Sequence, residues 1–423
     1  MPSRTESVSA AGAGLAGDEG FRHKFLTGVA FSWGFCAYFP IGVMYLNLLL
    51  MLTALAIWPG AKQALLRLRQ QAVMLPLALF VAWTLVATFS GDWFPDTGTR
   101  LFHTFRVALV LCLGMMLTPA RARVAFLGFL AGSVTAAMIV AAHHVWGMPD
   151  WELWASLLVT RNNFSSGNMI TMATAAGACL VVGIGRGVGR STRWLLLALF
   201  VGLALTVALH AVSRNSQLLL AGLMLVALLY RFRSVKAAVG GLAAVALLAV
   251  VTWQFSPTTS KRFVEMASDL HAVATAHNYS TSVGVRWRMY QEAVQGIGEH
   301  PVLGTGLGSW LPRWRGVWQK IGDSQPPELH AQFGEINNPH NDFLLTGMEI
   351  GIPGMLLMMW MLGALFWSGW RSRSTLGGVT VIFAASIVGT ALVNAPLRDA
   401  ALGMTLLWLL GVSLALRGDP ADA

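Results

Sequence analysis

From residue 24 onward the chain alternates long apolar blocks with short polar breaks, and one polar stretch, 254–339, interrupts the pattern. About 20 apolar residues are what an α-helix needs to cross a hydrocarbon core. Blocks at 24–39, 41–58, 72–90, 101–118, 122–144, 163–184, 194–212, 215–230, 236–253, 340–368, 376–394 and 400–416 predict an all-α polytopic membrane protein of about twelve transmembrane helices. Pro40 marks either a loop between two spans or a kink within one. The dyad alternation of a membrane β-barrel is absent from the sequence. Domains follow from the same pattern: a disordered tail at 1–23, nine spans at 24–253, a large outer loop at 254–339 with helices of its own, three spans at 340–417, and a second tail at 418–423.

Within the outer loop, Trp287, Tyr290, Val294 and Ile297 recur at spacings of three and four, which predicts an amphipathic helix lying across the outer face of the bundle. That helix stops before Pro301, and Gly304, Gly306 and Gly308 predict a flexible turn. The GTGLG string is no dinucleotide fingerprint, because it follows no clear strand. The loop ends in NPHNDFLLTGMEIGIPG, residues 338–354, which joins it to an apolar span. Asn338 suits an N-cap and Pro339 a first helical position, which sets His340 in the first turn. Unpaired N–H groups and the helix dipole disfavour an imidazolium there, so His340 reads as a proton acceptor.

Composition agrees with the pattern: 55% of the 423 residues are hydrophobic and only 11% charged, against about 25% in a soluble domain. The 17 Trp and 21 Phe fit lipid-facing surfaces and interfacial belts. Of the 29 basic residues, 17 fall in the two tails and in alternate short loops, among them Lys62, Arg67 and Arg69, Arg121 and Arg123, Arg186, Arg190 and Arg193, and Arg371 and Arg373. The positive-inside rule then puts both termini in the cytoplasm. The formal charge of +10 is thus a topology signal, and nucleic acid is not an implied partner. Cys36, Cys112 and Cys179 all lie in apolar blocks, which predicts neither a disulfide framework nor a metal finger.

Arginines on the outer side need a reason of their own, and Arg161, Arg214, Arg286 and Arg398 are those cases. Several guanidinium forks at one membrane face suit a phosphate clamp. Interfacial snorkelling or a local carboxylate pair is the competing structural reading, and Asp399 favours it for Arg398. His143 and His144, near Asp150 and Glu152, lack a recognised metal-ligand spacing, and no DxD motif is present. Glu349 would sit about 13 Å beyond His340 along the helix, where it acts in function or ties helices together.

Three pieces together resemble the O-antigen ligase and polymerase superfamily of bacterial inner-membrane glycan enzymes: Ser213-Arg214 opening a span; Arg286 four residues before Tyr290 in VRWRMYQEAVQGIGEHPVLGTGLGSW; and His340-Asn341-Asp342 leading into FLLTGMEIGIPG. Their order, the long penultimate outer loop and the span count match over most of the chain after residue 150. Tyr290 departs from the tryptophan frequent in the family, and Met348-Glu349 matches its acidic-small-Gly run only loosely. The resemblance implies an inverting, metal-independent glycosyltransferase without cofactors, which works at the periplasmic face on undecaprenyl-pyrophosphate-linked glycan. The nearest likeness is to the ligase, whose acceptor is lipid A-core. Carried onto this chain, His340 is the catalytic base, Arg161, Arg214 and Arg286 hold the pyrophosphate, and Arg288, Asn341, Asp342 and Glu349 support them. An O-antigen polymerase, a protein O-oligosaccharyltransferase and a transporter of lipid-linked sugars are the alternatives.

Overall fold

The computed structural model describes residues 4–146, 165–211, 213–255, 257–276, 281–322 and 333–418, and among them it is helical, with no strand. In chain order the helices are α1 (Arg4–Phe35), α2 (Ile41–Ile57), α3 (Ala61–Leu68), α4 (Met74–Ser90), α5 (Thr97–Met115), α6 (Pro119–Trp146), α7 (Ser166–Gly183), α8 (Arg190–His210), α9 (Arg214–Phe232), α10 (Val235–Phe255), α11 (Pro257–Ala276), α12 (Ser282–Glu299), α13 (Trp310–Gly322), α14 (Asp342–Ser372), α15 (Thr375–Ala391) and α16 (Ala400–Leu416). A helix occupies each of the twelve apolar blocks. Among the described residues, five helices are long and apolar enough to cross a membrane, or up to six if the pair α2 and α3, bent by 108°, is one span. The chain is therefore a multi-pass membrane protein. Met74–Ser90, Thr375–Ala391 and Ala400–Leu416 are shorter apolar helices.

One boundary takes the first of its two expected readings, and one differs from expectation. A 3-10 turn, Cys36–Tyr38, separates α1 from α2, so Pro40 stands between two elements. The stretch before residue 24, expected to be disordered, joins α1 from Arg4 onward, its alanines continuing the helix of the apolar block they precede.

The centre of the bundle is built from α7, α15 and α16, whose residues are buried along nearly their whole length. Such helices show no polar face because the bundle surrounds them. Side chains fix where they begin: Ser374 Oγ accepts from Gly377 N at 3.0 Å, and Asp399 Oδ1 from Leu402 N at 3.0 Å. Trp33 of α1 stacks on Trp408 of α16 with ring centroids 4.3 Å apart. Cys36, Cys112 and Cys179 are unpaired.

A second, smaller core lies beside the bundle. Trp310, Trp314 and Trp318, one turn apart on α13, are buried against Val285, Met289 and Ala293 of α12 and Leu345 and Met348 of α14. The amphipathic helix is thus present as α12, but its buried stripe is Val285, Met289, Glu292 and Gly296. Trp287 and Val294 of the expected stripe are 52% and 55% exposed, because the tryptophan ladder of α13 claims the other face.

The long helix α14 is broken. Ile350 (φ −132°) and Gly351 (φ 77°) leave the helical region, so residues 342–349 form a short first half. Freed polar groups at the break find partners elsewhere: Ile350 O accepts from Trp83 Nε1 at 2.8 Å, Ile352 N donates to Pro301 O at 2.8 Å, and Thr305 N donates to Met348 O at 2.7 Å. Pro353 falls in the first turn of the second half, where its missing N–H leaves nothing unpaired. The segment expected as a flexible turn is therefore a packed strap. Gly304, Gly306 and Gly308 all have positive φ, and Gly304 lies against the backbone of Glu349.

Candidate active site

His340 stands just ahead of α14. The expectation that Asn338 caps the helix and places His340 in its first turn is corrected, because Asn341 takes the cap. Its Oδ1 accepts from Leu344 N at 3.0 Å while its Nδ2 donates to Leu392 O at 3.0 Å. Asn338 Oδ1 instead accepts from His340 N at 2.9 Å, an Asx turn that leaves His340 at φ 54°. A left-handed backbone at a non-glycine residue is uncommon, and here it turns the imidazole out of the helix register.

Two other elements meet His340. The loop after α15 brings Asn394, whose Oδ1 lies 3.4 Å from His340 Nδ1. The same Oδ1 accepts from Ala395 N at 2.9 Å, so the oxygen faces the ring. Nδ1 is then the protonated nitrogen, and Nε2 carries the free lone pair. From α12, Tyr290 Oη donates to His340 O at 3.4 Å. One turn earlier, Arg286 is close enough to act on the imidazole electrostatically. Burial, then Arg286, hold His340 below its ordinary value, and the bond to Asn394 offsets part of that. His340 is thus kept neutral, with Nε2 free to accept a proton, by burial and a neighbouring cation rather than by the dipole of a first helical turn.

Arg214 opens α9 and donates to Ser282 Oγ at 3.4 Å, which brings it beside Arg286. Burial lowers Arg286, with Arg214 adding to the effect. Among the described residues no carboxylate forms an ion pair with Arg286, although it is half-buried. A partly desolvated guanidinium next to a second one is an anion site in electrostatic terms. Arg161, Asp150 and Glu152 lie outside the described residues. No group of three or more His, Cys, Asp or Glu side chains among the described residues is placed to hold a metal ion.

The remaining expected residues divide by role. Arg288, on the far side of α12, reaches Glu292 at 3.5 Å, and Glu292 in turn holds Arg313 at 2.6 Å. It is bound in a structural network away from His340. Asn341 is the cap described above. Asp342 is fully buried and accepts from Leu397 N at 2.8 Å, pinning the loop that carries Asn394. Glu349 is also fully buried, 3.2 Å from Arg398 Nη2 and 3.7 Å from Arg100 Nε, and it accepts from Gly308 N at 3.1 Å. Arg398 thus pairs with Glu349; the expected partner Asp399 is occupied in capping α16. Sequence reasoning passed over Arg100 and Asn394. One is a cation just ahead of an apolar block, the other a lone amide at the end of one, and neither has a local signal.

An apolar cavity of about 570 Å³ opens between α9, α14 and α15, its lining beginning at Asn215, the neighbour of Arg214, and Phe343, three residues after His340. Leu219, Val226, Phe343, Phe366 and Val388 line it, with Asn215 and Val393 at the end nearest the cations. From Asn215 to Val226 it follows α9 for about 16 Å. Cations above an apolar slot suit a ligand with an anionic head and a hydrocarbon tail.

Residues 199–359 match the protein-family model described as O-antigen ligase. That segment contains Arg214, Arg286, His340 and Glu349, whereas Arg100, Asn394 and Arg398 lie outside it. No curated protein matches the chain.

Proposed function

From the O-antigen ligase family match at residues 199–359, which supports the O-antigen ligase and polymerase superfamily for this chain, we propose that the protein is an inverting, metal-independent glycosyltransferase. It moves O-antigen polysaccharide en bloc from undecaprenyl pyrophosphate to lipid A-core. It sits in the bacterial inner membrane with about twelve spans and both termini cytoplasmic. Its site faces the periplasm. The observation that carries the reading is the meeting of His340 with Arg286 and Arg214, next to the Asn215 and Phe343 end of the apolar cavity.

In this mechanism the diphosphate lies on Arg214 and Arg286, assisted by Arg161, and the polyprenyl chain descends into the cavity. The acceptor hydroxyl oxygen attacks the anomeric carbon from the face opposite the diphosphate. A glycosidic C–O bond forms as the bond from that carbon to the diphosphate oxygen breaks, and undecaprenyl pyrophosphate leaves with the electron pair. The hydroxyl proton passes to Nε2 of His340. Charge that develops on the leaving diphosphate is stabilised by the two guanidinium groups, already positioned and partly desolvated.

The test is transfer by purified protein from an undecaprenyl-pyrophosphate glycan in excess chelator, with lipid A-core, a second lipid-linked glycan, or no acceptor. Glycosylated lipid A-core is the expected product, with turnover reduced at least 10²-fold in His340→Gln while donor binding is retained. Lengthened lipid-linked chains would instead identify a polymerase, and turnover unchanged by His340→Gln would remove the base.

A further inference from the structure

His340 and Asn394 come from two separate loops, 337–341 and 392–399, and neither loop is regular structure. Proton transfer needs its partners held within a few tenths of an ångström. Something beneath them must fix both.

Glu349 is central to that layer. At the end of the first half of α14, with no exposed surface, it binds Arg100 of α5, Arg398 of the second loop, and the backbone of Gly308 in the strap. Each arginine has a further bond. Arg100 donates through Nη2 to Asn337 O, at the start of the His340 loop. Arg398 donates through Nη1 to Arg100 O at 3.4 Å, tying the Asn394 loop to α5. Asp342 closes the circuit by accepting from Leu397 N. The guanidinium fork is what allows Arg100 to hold a carboxylate and a carbonyl at once.

We propose that Arg100, held by Glu349, is a positioning residue for transfer: it locks the His340 loop against the Asn394 loop so that the imidazole presents Nε2 to the acceptor. This rests on the reading of His340 as the base. Arg100 lies more than 200 residues from the loop it holds and outside the segment that matches the family. Buried charges that only stabilised the bundle could be replaced by apolar groups at little cost. A second arm reaching the backbone beside the base gives this cluster a task in geometry.

The discriminating variant is Arg100→Lys. It keeps the charge beside Glu349 and cannot reach Asn337 O as well. In the transfer assay we expect kcat to fall about 10-fold or more with the donor KM unchanged, since the pyrophosphate and polyprenyl contacts are untouched. The acid limb of the pH profile should move upward, because burial is the main cause of the low His340 value and a loosened loop admits water. Glu349→Gln serves as the second variant, keeping the Gly308 bond and releasing both arginines, with the same two changes expected. His340→Gln runs in parallel. If it is fully active, the base reading itself fails. If it is inactive while folded Arg100→Lys shows wild-type kcat and pH profile, the positioning role is overturned. Failure of both Arg100→Lys and Glu349→Gln to yield folded protein would likewise assign the cluster to stability alone.

Discussion

A histidine that is to take a proton must already hold one on its other nitrogen and must resist charging beforehand. His340 meets the first condition through Asn394, whose oxygen is fixed by Ala395 N–H, and the second through burial and the Arg286 charge. The sign follows directly. A value below the ordinary 6.5 means that the neutral form persists to more acid pH, so the acid limb of kcat/KM should lie below 6.5. Arg286→Gln removes a positive charge from beside the ring, so the limb should move up; Arg286→Lys keeps the charge and should leave it in place. Both should weaken donor binding, the lysine by losing the planar fork. A pH–rate series on the three proteins separates the electrostatic role of Arg286 from its ligand role, and an unmoved limb in Arg286→Gln would show that the two groups do not interact. Of this candidate site, Arg214 and Arg286 stood out in the sequence as arginines on the outer side, His340 as a histidine at the start of a span, and all three through the resemblance of their motifs. Asn394 and Arg100 did not, since their meaning comes only from partners 54 and 237 residues away.

At the scale of elements, hydropathy located the helices well because a membrane leaves the backbone few other ways to pair its polar groups. It missed the break in α14 because IGIPG reads as an apolar continuation of the block around it. The break depends on what lies opposite: Trp83 and the carbonyl of Pro301 take up the freed groups. Gly351 is where this arrangement is least tolerant. It has φ 77°, and a Cβ there would stand 1.9 Å from Val302 O, a backbone atom that cannot swing aside. Gly351→Ala should therefore strain the backbone by about 1–3 kcal/mol and push the strap off the helix. The expected results in detergent are a lower melting temperature and faster proteolysis within 301–308. A variant as stable and as protected as wild type would mean that the strap is not rigidly joined to α14. The tryptophan ladder of α13 shows the same limit: it goes unread in the sequence, and which face of α12 it covers is decided by packing.

For the whole molecule, the two halves of the proposed donor have opposite needs, and the fold separates them by depth. Charge is concentrated where α9, α12 and the His340 loop meet, and the cavity below is apolar between three helices. If the cavity holds the polyprenyl chain, the contribution of the tail should be removable without touching the cations. Gly222 offers that opportunity: it lines the cavity, and a Cβ added to it meets nothing within 4 Å, so a larger side chain projects into the slot rather than into the bundle. Gly222→Phe should raise KM about 10-fold or more for a donor with the full polyprenyl chain, since each excluded methylene forfeits about 0.8 kcal/mol of burial. The same variant should leave a donor with a tail too short to enter the cavity unaffected, and kcat should change little, because His340 and the guanidinium groups keep their places. Equal losses with long and short donors would point to a distorted bundle. An unchanged KM with the long donor would place the tail elsewhere and remove the cavity from donor binding.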